Sequence, residues 1–501
     1  MSVIRKQSIN YTLVHFTGVL IGVFSTILIY PLEREAYGLA RFLIDFSILL
    51  YPFVLLGFEN VAIRFFPDFR NAEGKAVGFL GFLFWTVIGG CAVLALIAGL
   101  WGMDILHWME QLTGMRFVTT SWIEEYIWLS IPVICFMGVA WLFNQYLTNF
   151  HKVVVPAMLQ NAIKVSLPLF ILLYHYKKAG IAIVAEGIAW HFAIVAMLYM
   201  VYTYLIGQLK LGISKSVDYK SRMGDMTRYA AYSLFGSLGT LIAFRIDSIM
   251  VSTLLGLEFN GDFGIASTIA QTIAIPTNAV IAIGSPVIAA AWADKNTIKI
   301  ADVYRKSSIN LLIPGLLIYT GMWLSLEDLV RLMPNHEAME HIRTVVLLLG
   351  FSRIVDMGTS VNNEIIAFSK YYRFNFVAVI LLALCNIVFN FYFIALYGIW
   401  GAALATALSL ALYNVAKFIF IWRFLGMQPF SMGTVKIILI ALAGYGAIFW
   451  WPDFDAAWLG LLVKSSVLVG IYGFLVWKIK LSPDLNAYLC DIVDKVKRKR
   501  S

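Results

Sequence analysis

Charge is what this sequence has least of. Of 501 residues only 13% are Asp, Glu, Lys or Arg, while 60% are hydrophobic. A soluble domain carries about 25% charged residues, so there is too little polar side chain here to cover a water-soluble surface. Cysteine is scarce as well. Cys91, Cys135, Cys385 and Cys490 stand singly, which excludes a disulfide framework and any close metal-ligand spacing. Long polar stretches are missing, and the longest segments between apolar runs are about 20 residues, too short for an appended soluble domain. No GxxxxGK[ST] string is present, so a phosphate cradle for ATP hydrolysis is not expected. No cofactor and no metal site are expected either.

What the chain has in abundance is apolar runs long enough to cross a bilayer, and its mean hydropathy is +0.80. Fourteen spans are expected, near residues 9–32, 38–66, 77–102, 123–149, 153–175, 179–206, 227–256, 262–292, 304–326, 341–369, 373–396, 399–424, 433–451 and 457–479. Each suffices for a helix through a hydrocarbon core of about 30 Å, and helices satisfy their own backbone in lipid. The fold class is therefore an all-α polytopic membrane protein. The first run is too long for a signal-peptide core and has no small-residue cleavage site, so it reads as a retained span.

The +9 net charge is explained by where the bases fall. With both termini placed in the cytoplasm, that side holds 24 of the 38 Lys and Arg residues, the outer side 6, and the spans the other eight. This is the positive-inside bias; Lys177 and Lys178 are its local exception. The terminal "DKVKRKR" reads as a contact with anionic membrane lipids. No nucleic-acid partner is implied.

The chain repeats itself. "NQYLTNFHK" (Asn144–Lys152) resembles "NNEIIAFSK" (Asn362–Lys370), 218 residues on, and "AGIAIVAEGIA" matches "YGIWGAALATA" at the same spacing. "YGLARFLIDFSILLYP" (Tyr37–Pro52) parallels "FGIASTIAQTIAIPTN" (Phe263–Asn278), 226 residues on. In both, an aromatic–Gly pair is followed seven residues after the Gly by a polar residue, Asp45 or Gln271. A six-span unit keeps both halves in one orientation, which implies two parallel-related lobes with a cleft between them. The expected organisation is a six-helix lobe over 1–222, a second over 223–428, a helix pair over 429–480 and a basic cytoplasmic tail over 481–501.

Several of these segments carry a resemblance. "PLEREAYGLARFLIDFSILLYPFVLLGFENVAIRFFPDF" (Pro31–Phe69) resembles the second-helix signature of polysaccharide flippases, the Wzx-like branch of the multidrug/oligosaccharidyl-lipid/polysaccharide superfamily. "RIDSIMVSTLLG" with the following "DFGIAS" is similar to that family's seventh and eighth helices, and "NIVFNFYFIALYGIWGAALATALS" to its eleventh and twelfth. The resemblance implies a secondary transporter of the bacterial inner membrane working by alternating access. It would flip a polyprenyl-pyrophosphate-linked oligosaccharide from the cytoplasmic to the outer leaflet for O-antigen, capsule or exopolysaccharide synthesis. Glycosyltransferases and a glycan polymerase would be partners, and H+ or Na+ a coupling ion. Alternatives are a MurJ-like lipid II flippase, a drug/cation antiporter that would need an acidic cavity, and a membrane glycosyltransferase or polymerase that would need catalytic residues on larger loops.

Ionisable residues inside spans cost about 2.5–3.5 kcal/mol on insertion scales and so mark candidate sites. Arg245 and Asp247 are two apart, about 200° around a helix, and each needs a partner elsewhere. Arg41 and Asp45 are placed to pair at i,i+4, and Arg353 and Asp356 at i,i+3. Lys164 has no acid on its own helix. Arg41, Lys164, Arg245 and Arg353 form the expected substrate-binding set, since guanidinium forks and ammonium charges both take phosphate oxygens. Asp45, Asp247 and Asp356 are the candidate ion-coupling residues. Glu59 and Arg64 are expected at a helix end in a gate or interface role. Asn144, Asn362, Asn363, Asn386 and Asn390 are expected as interhelical hydrogen-bonding residues, and His15 and His191 as packed or interfacial side chains. "DFD" (Asp453–Asp455), beside Trp450 and Trp451, reads as part of an interfacial belt.

Overall fold

The computed structural model describes residues 3–69, 78–113, 121–177, 180–212, 219–451 and 454–481. Most of the expected basic tail, Lys215 and Asp453 lie outside them. By contacts the chain divides into two units, Met1–Gly264 and Ile265–Ser501. Among the described residues there are helices and no strands.

The first unit runs through α1 (Val3–Leu28), α2 (Arg34–Leu55), α3 (Phe58–Arg64), α4 (Phe79–Thr113), α5 (Ser121–Tyr126), α6 (Ser130–Thr148), α7 (Val154–Asn161), α8 (Ile163–Lys177), α9 (Ala182–Leu205) and α10 (Tyr219–Leu254). It ends in the first turns of α11 (Leu257–Gln271). Its centre is α2, packed on α4, α6 and α10. Leu39, Phe42, Leu43, Val54 and Leu55 of α2 are at 2% exposure or less, whereas α1 turns Leu13, Phe16, Leu20 and Phe24 outward as a lipid-facing stripe. The lobe boundary expected at 222/223 follows the repeat; the contact division falls later because α10 packs along α2 and α3.

Glycines set how closely these helices approach. α2 stops at Leu56 (φ 51°) and Gly57 (φ 76°), two successive left-handed residues. A Cβ on Gly57 would lie 2.0 Å from the Ala230 carbonyl oxygen of α10, so glycine meets both the torsional and the spatial demand. The expected single span 38–66 is thus two helices, α2 and α3. At the other end of α2, a Cβ on Gly38 would lie 1.8 Å from the Leu257 carbonyl oxygen, and one on Gly261 would lie 2.1 Å from that of Arg34. The start of α2 therefore meets the start of α11 nearly backbone to backbone, and Gly264 of the second aromatic–Gly opening packs under the Arg41 side chain.

The second unit comprises the rest of α11, then α12 (Ile275–Ala293), α13 (Thr297–Arg331), α14 (Ile342–Thr359), α15 (Asn362–Ala367), α16 (Arg373–Tyr397), α17 (Ile399–Leu425), α18 (Met432–Phe449) and α19 (Ala457–Ile479). The 35-residue α13 is its spine and touches α12, α14, α18 and α19. Asn296 caps it, accepting from the Lys299 amide at 3.0 Å. α16 and α17 form a tight hairpin, where a Cβ on Gly401 would lie 1.9 Å from the Phe393 carbonyl oxygen. α18 opens with a reciprocal cap between Ser431 and Thr434, and Tyr472 of α19 donates to the Ile313 carbonyl at 2.7 Å.

Among the described residues thirteen helical stretches are long and apolar enough to cross a membrane. The fourteenth expected span, 341–369, is present as α14 and α15. α14 is only 18 residues long and carries Arg343, Arg353 and Asp356, three ionisable residues within one span's length, which sets it apart from the thirteen. The protein is a multi-pass membrane protein of the expected class.

Candidate functional site

In the first unit α2 and α10 bring together three of the seven candidate residues. Asp45, 3% exposed, sits ten residues before the end of α2. Its Oδ2 accepts from Arg41 Nη2 at 3.2 Å, the i,i+4 contact. Its Oδ1 accepts from Arg245 Nη1 of α10 at 2.8 Å. The partner that Arg245 requires is thus on α2. One carboxylate neutralises one of two guanidiniums, and the cluster keeps a net single positive charge. The Arg41 side chain is 18% exposed and that of Arg245 is 40% exposed. Arg41 owes its position to Gly264, where a Cβ would lie 2.2 Å from Arg41 Cδ. A guanidinium has five N–H donors in a planar fork, so the exposed head of Arg245 keeps donors for a further anion.

Asp247 belongs to another environment. It is 5% exposed, within the buried run Asp247–Val251 of α10. Beside it Ser248 donates to Asn260 Oδ1 at 2.8 Å, and Asn260 Nδ2 donates to the Gly38 carbonyl at 2.9 Å. Lys164 is half-buried on α8, its stem over Gly22 of α1. Among the described residues it has no carboxylate within salt-bridge distance. Near the start of α2, Arg34 pairs with Asp262 at 2.9 Å and with Glu258, while Glu33 meets His175 Nδ1 at 2.9 Å. His191 is packed against Ser166 Oγ at 2.9 Å.

In the second unit amides hold Asp356 and Lys417. Asp356 of α14 accepts from Asn414 Nδ2 of α17 at 3.2 Å. Asn414 Oδ1 in turn accepts from Thr359 at 2.9 Å and from Asn362 at 3.0 Å. Arg353 is half-buried on α14. Lys417 of α17 is fully buried; it donates to Asn363 Oδ1 at 2.9 Å and to the Tyr413 hydroxyl, with Nζ 4.1 Å from the Tyr413 ring centre. Asn362 and Asn363 therefore join helices as expected, whereas Asn390 Nδ2 turns back on Asn386 Oδ1 of its own helix at 2.6 Å. Lys464 of α19 and Asp328 of α13 form a buried ion pair at 2.9 Å.

Three of these features were not singled out from sequence: Lys417, the Lys464–Asp328 pair and the Arg34–Asp262 pair. Lys417 and Lys464 carry the same signal as Lys164, a base within an apolar run. What the run does not show is the partner on a distant helix.

Neither a protein-family profile nor a curated protein matches the sequence. Solved structures do resemble it. The lipid II flippase MurJ in an inward closed conformation superposes with a TM-score of 0.71 at 14% identity, over 94% of this chain and 98% of that one. An inward-facing multidrug resistance MATE family transporter of the MOP superfamily gives 0.62 at 16% identity, over 84% and 94%. A Vibrio cholerae MATE transporter gives 0.53 at 12% identity, over 84% and 98%. At these identities the likeness establishes the fold: the chain has the helical architecture found in a flippase and in drug transporters.

Proposed function

We propose that this protein is a flippase of the polysaccharide branch, carrying a polyprenyl-pyrophosphate-linked oligosaccharide from the cytoplasmic to the outer leaflet of a bacterial inner membrane. The observation that carries this is the Arg41–Asp45–Arg245 cluster. Two guanidiniums share one carboxylate, and the Arg245 side chain remains 40% exposed. Such a site attracts a multiply charged phosphate, which Arg binds through paired N–H donors. A drug/cation antiporter on the same fold needs an accessible carboxylate. Asp45 is 3% exposed with both oxygens engaged by arginine, which argues against that rival at this position. A MurJ-like lipid II flippase would share the phosphate chemistry and differ in the sugar.

Lys164 and Arg353 are assigned as further substrate contacts, and Asp45, Asp247 and Asp356 as the residues that couple transport to H+ or Na+. Transport proceeds by alternating access with both termini cytoplasmic. Glycosyltransferases build the substrate and a polymerase consumes it; the chain itself transfers no sugar.

The test is flipping of a fluorescent lipid-linked oligosaccharide in proteoliposomes. Arg245→Ala should abolish flipping while the protein remains folded, and Arg245→Lys should restore part of it, because an ammonium lacks the guanidinium fork. Normal flipping by Arg245→Ala overturns the assignment of this site. Turnover of a nucleotide sugar by the isolated chain overturns the transporter reading.

A further inference from the structure

A second cationic recess lies in the first unit, away from Asp45. It has a volume of about 500 Å³ and opens between α3, the Phe66–Phe69 turn and the N-terminal turns of α10. Arg64, Arg222 and Arg228 line it, with Asp68 and Asp225. Three arginines and two aspartates leave one net positive charge. Its distribution is uneven: Arg222 lies 3.9 Å from Asp68, whereas among the described residues neither Arg64 nor Arg228 has a carboxylate within salt-bridge distance.

The wall opposite is aromatic. The Arg64 guanidinium carbon lies 4.3 Å from the ring centre of Tyr229 and 5.8 Å from that of Phe65. Stacking fixes the guanidinium plane and leaves its in-plane donors for a ligand. Arg228, Tyr229, Tyr232 and Phe235 follow at helical spacing along α10, so one face runs from guanidinium through phenol to plain ring. Tyr232 and Phe235 are 73% and 61% exposed. On a membrane helix such exposed rings face lipid and the interface. The recess therefore combines unspent phosphate donors with an open side toward acyl chains, the layout that suits an anion delivered by the bilayer rather than by water.

We propose that this recess is a docking site for a phosphate-headed lipid, and that its occupant is the polyprenyl diphosphate carrier before it reaches Arg245. The choice of carrier rests on the flippase reading; the phosphate site itself does not. Arg64 and Arg228 bind the diphosphate oxygens, Tyr229 holds Arg64 in plane, and Tyr232 and Phe235 border the first isoprene units. The site lies on the side to which the charge bias assigns the cytoplasm, where the carrier is loaded with sugar.

The test uses the full chain in nanodiscs, with a polyprenyl diphosphate and phosphatidylglycerol as probes and lipid retention read by native mass spectrometry. Wild type should retain the diphosphate lipid, and Arg64→Gln/Arg228→Gln should lose it by about tenfold, the size of roughly 1.4 kcal/mol. Arg64→Lys/Arg228→Lys, which keeps the charge, should recover part of the retention and controls for folding. Undiminished retention in the glutamine variant overturns the site. Equal displacement by phosphatidylglycerol overturns the carrier as occupant and leaves a contact for bulk anionic lipid. Repeating the comparison on an Arg245→Gln background, which removes the other phosphate site, should give the same tenfold loss from Arg64→Gln/Arg228→Gln; no loss there overturns the recess. If wild type flips no lipid-linked sugar yet retention still depends on Arg64 and Arg228, the proposed function falls and the phosphate site stands.

Discussion

One cluster in each unit, around Asp45 in the first and around Lys417 in the second, handles intramembrane charge in its own way. In the first, Asp45 is shared by Arg41 and Arg245 across two helices, and the surplus cation stays partly accessible. In the second, Lys417 is fully buried among an amide oxygen, a phenol hydroxyl and a ring face, and Asp356 is hydrogen-bonded to an asparagine. Removing one partner of a buried pair strands the other charge, and the buried Lys417 also acts electrostatically on Asp356 and Glu364. The surplus leaves the cluster of the first unit with one net positive charge. The amide network of the second makes an ordered polar core joining α14, α15 and α17.

Substitutions should separate the two designs. The largest effect is expected from Asp45→Ala, which leaves Arg41 and Arg245 facing one another, and from Lys464→Ala, which strands Asp328. Each should cost about 3–5 kcal/mol, read as a lost or lowered thermal midpoint in detergent. Combining Asp45→Ala with Arg245→Ala should recover part of that loss, and strict additivity would show that the pair does not couple. Gly57→Ala comes next. Its φ of 76° and the Ala230 carbonyl at 2.0 Å from the new Cβ predict a loss of about 1–3 kcal/mol or more, and an unchanged midpoint would mean that the two helices move apart freely. Lys417→Met should cost about 1–3 kcal/mol, because it removes the cation that acts on Asp356 and Glu364 and leaves Asn363 Oδ1 without its donor; an unchanged midpoint would show that the amide network alone holds those carboxylates. Smallest is Glu327→Gln, which breaks the exposed contacts to Arg331 at 2.8 Å and Arg343 at 3.1 Å and should change the midpoint by less than about 1 kcal/mol, less still at high salt.

The spans were legible in the sequence because hydropathy and length alone define a membrane helix. α16, expected at 373–396, occupies Arg373–Tyr397, and α17, expected at 399–424, occupies Ile399–Leu425. The break after Leu55 was not read, although Gly57 lay in view, because a single glycine in an apolar run is compatible with a continuous helix. The Arg41–Asp45 contact was legible because it is local, four residues along one helix. The Arg245–Asp45 contact was not, because the register of α10 against α2 is set by interhelix packing such as that of Gly57 on Ala230, and no periodicity within one helix encodes it. Lys417 escaped for the same reason: its ligands are Asn363 and Tyr413, one of them on another helix. The repeat, read as a sign of symmetry, has a second meaning within the first unit, where the two aromatic–Gly segments pack on each other.

The seat of Gly57 against α10 also bears on motion. Two helices separated by side chains can slide by small rotamer changes. At Gly57 there is no side chain to rotate, only a peptide edge resting on the Ala230 carbonyl. Packed contacts of this kind have discrete arrangements, not a continuum. α3 and the N-terminal half of α10 thus behave as a single lever, carrying Arg64 and Tyr229 together through any conformational cycle. Spin labels at Ile63 and Tyr232, both on exposed side chains, should report one narrow distance whether or not substrate is present; two populations would show that the lever has a joint.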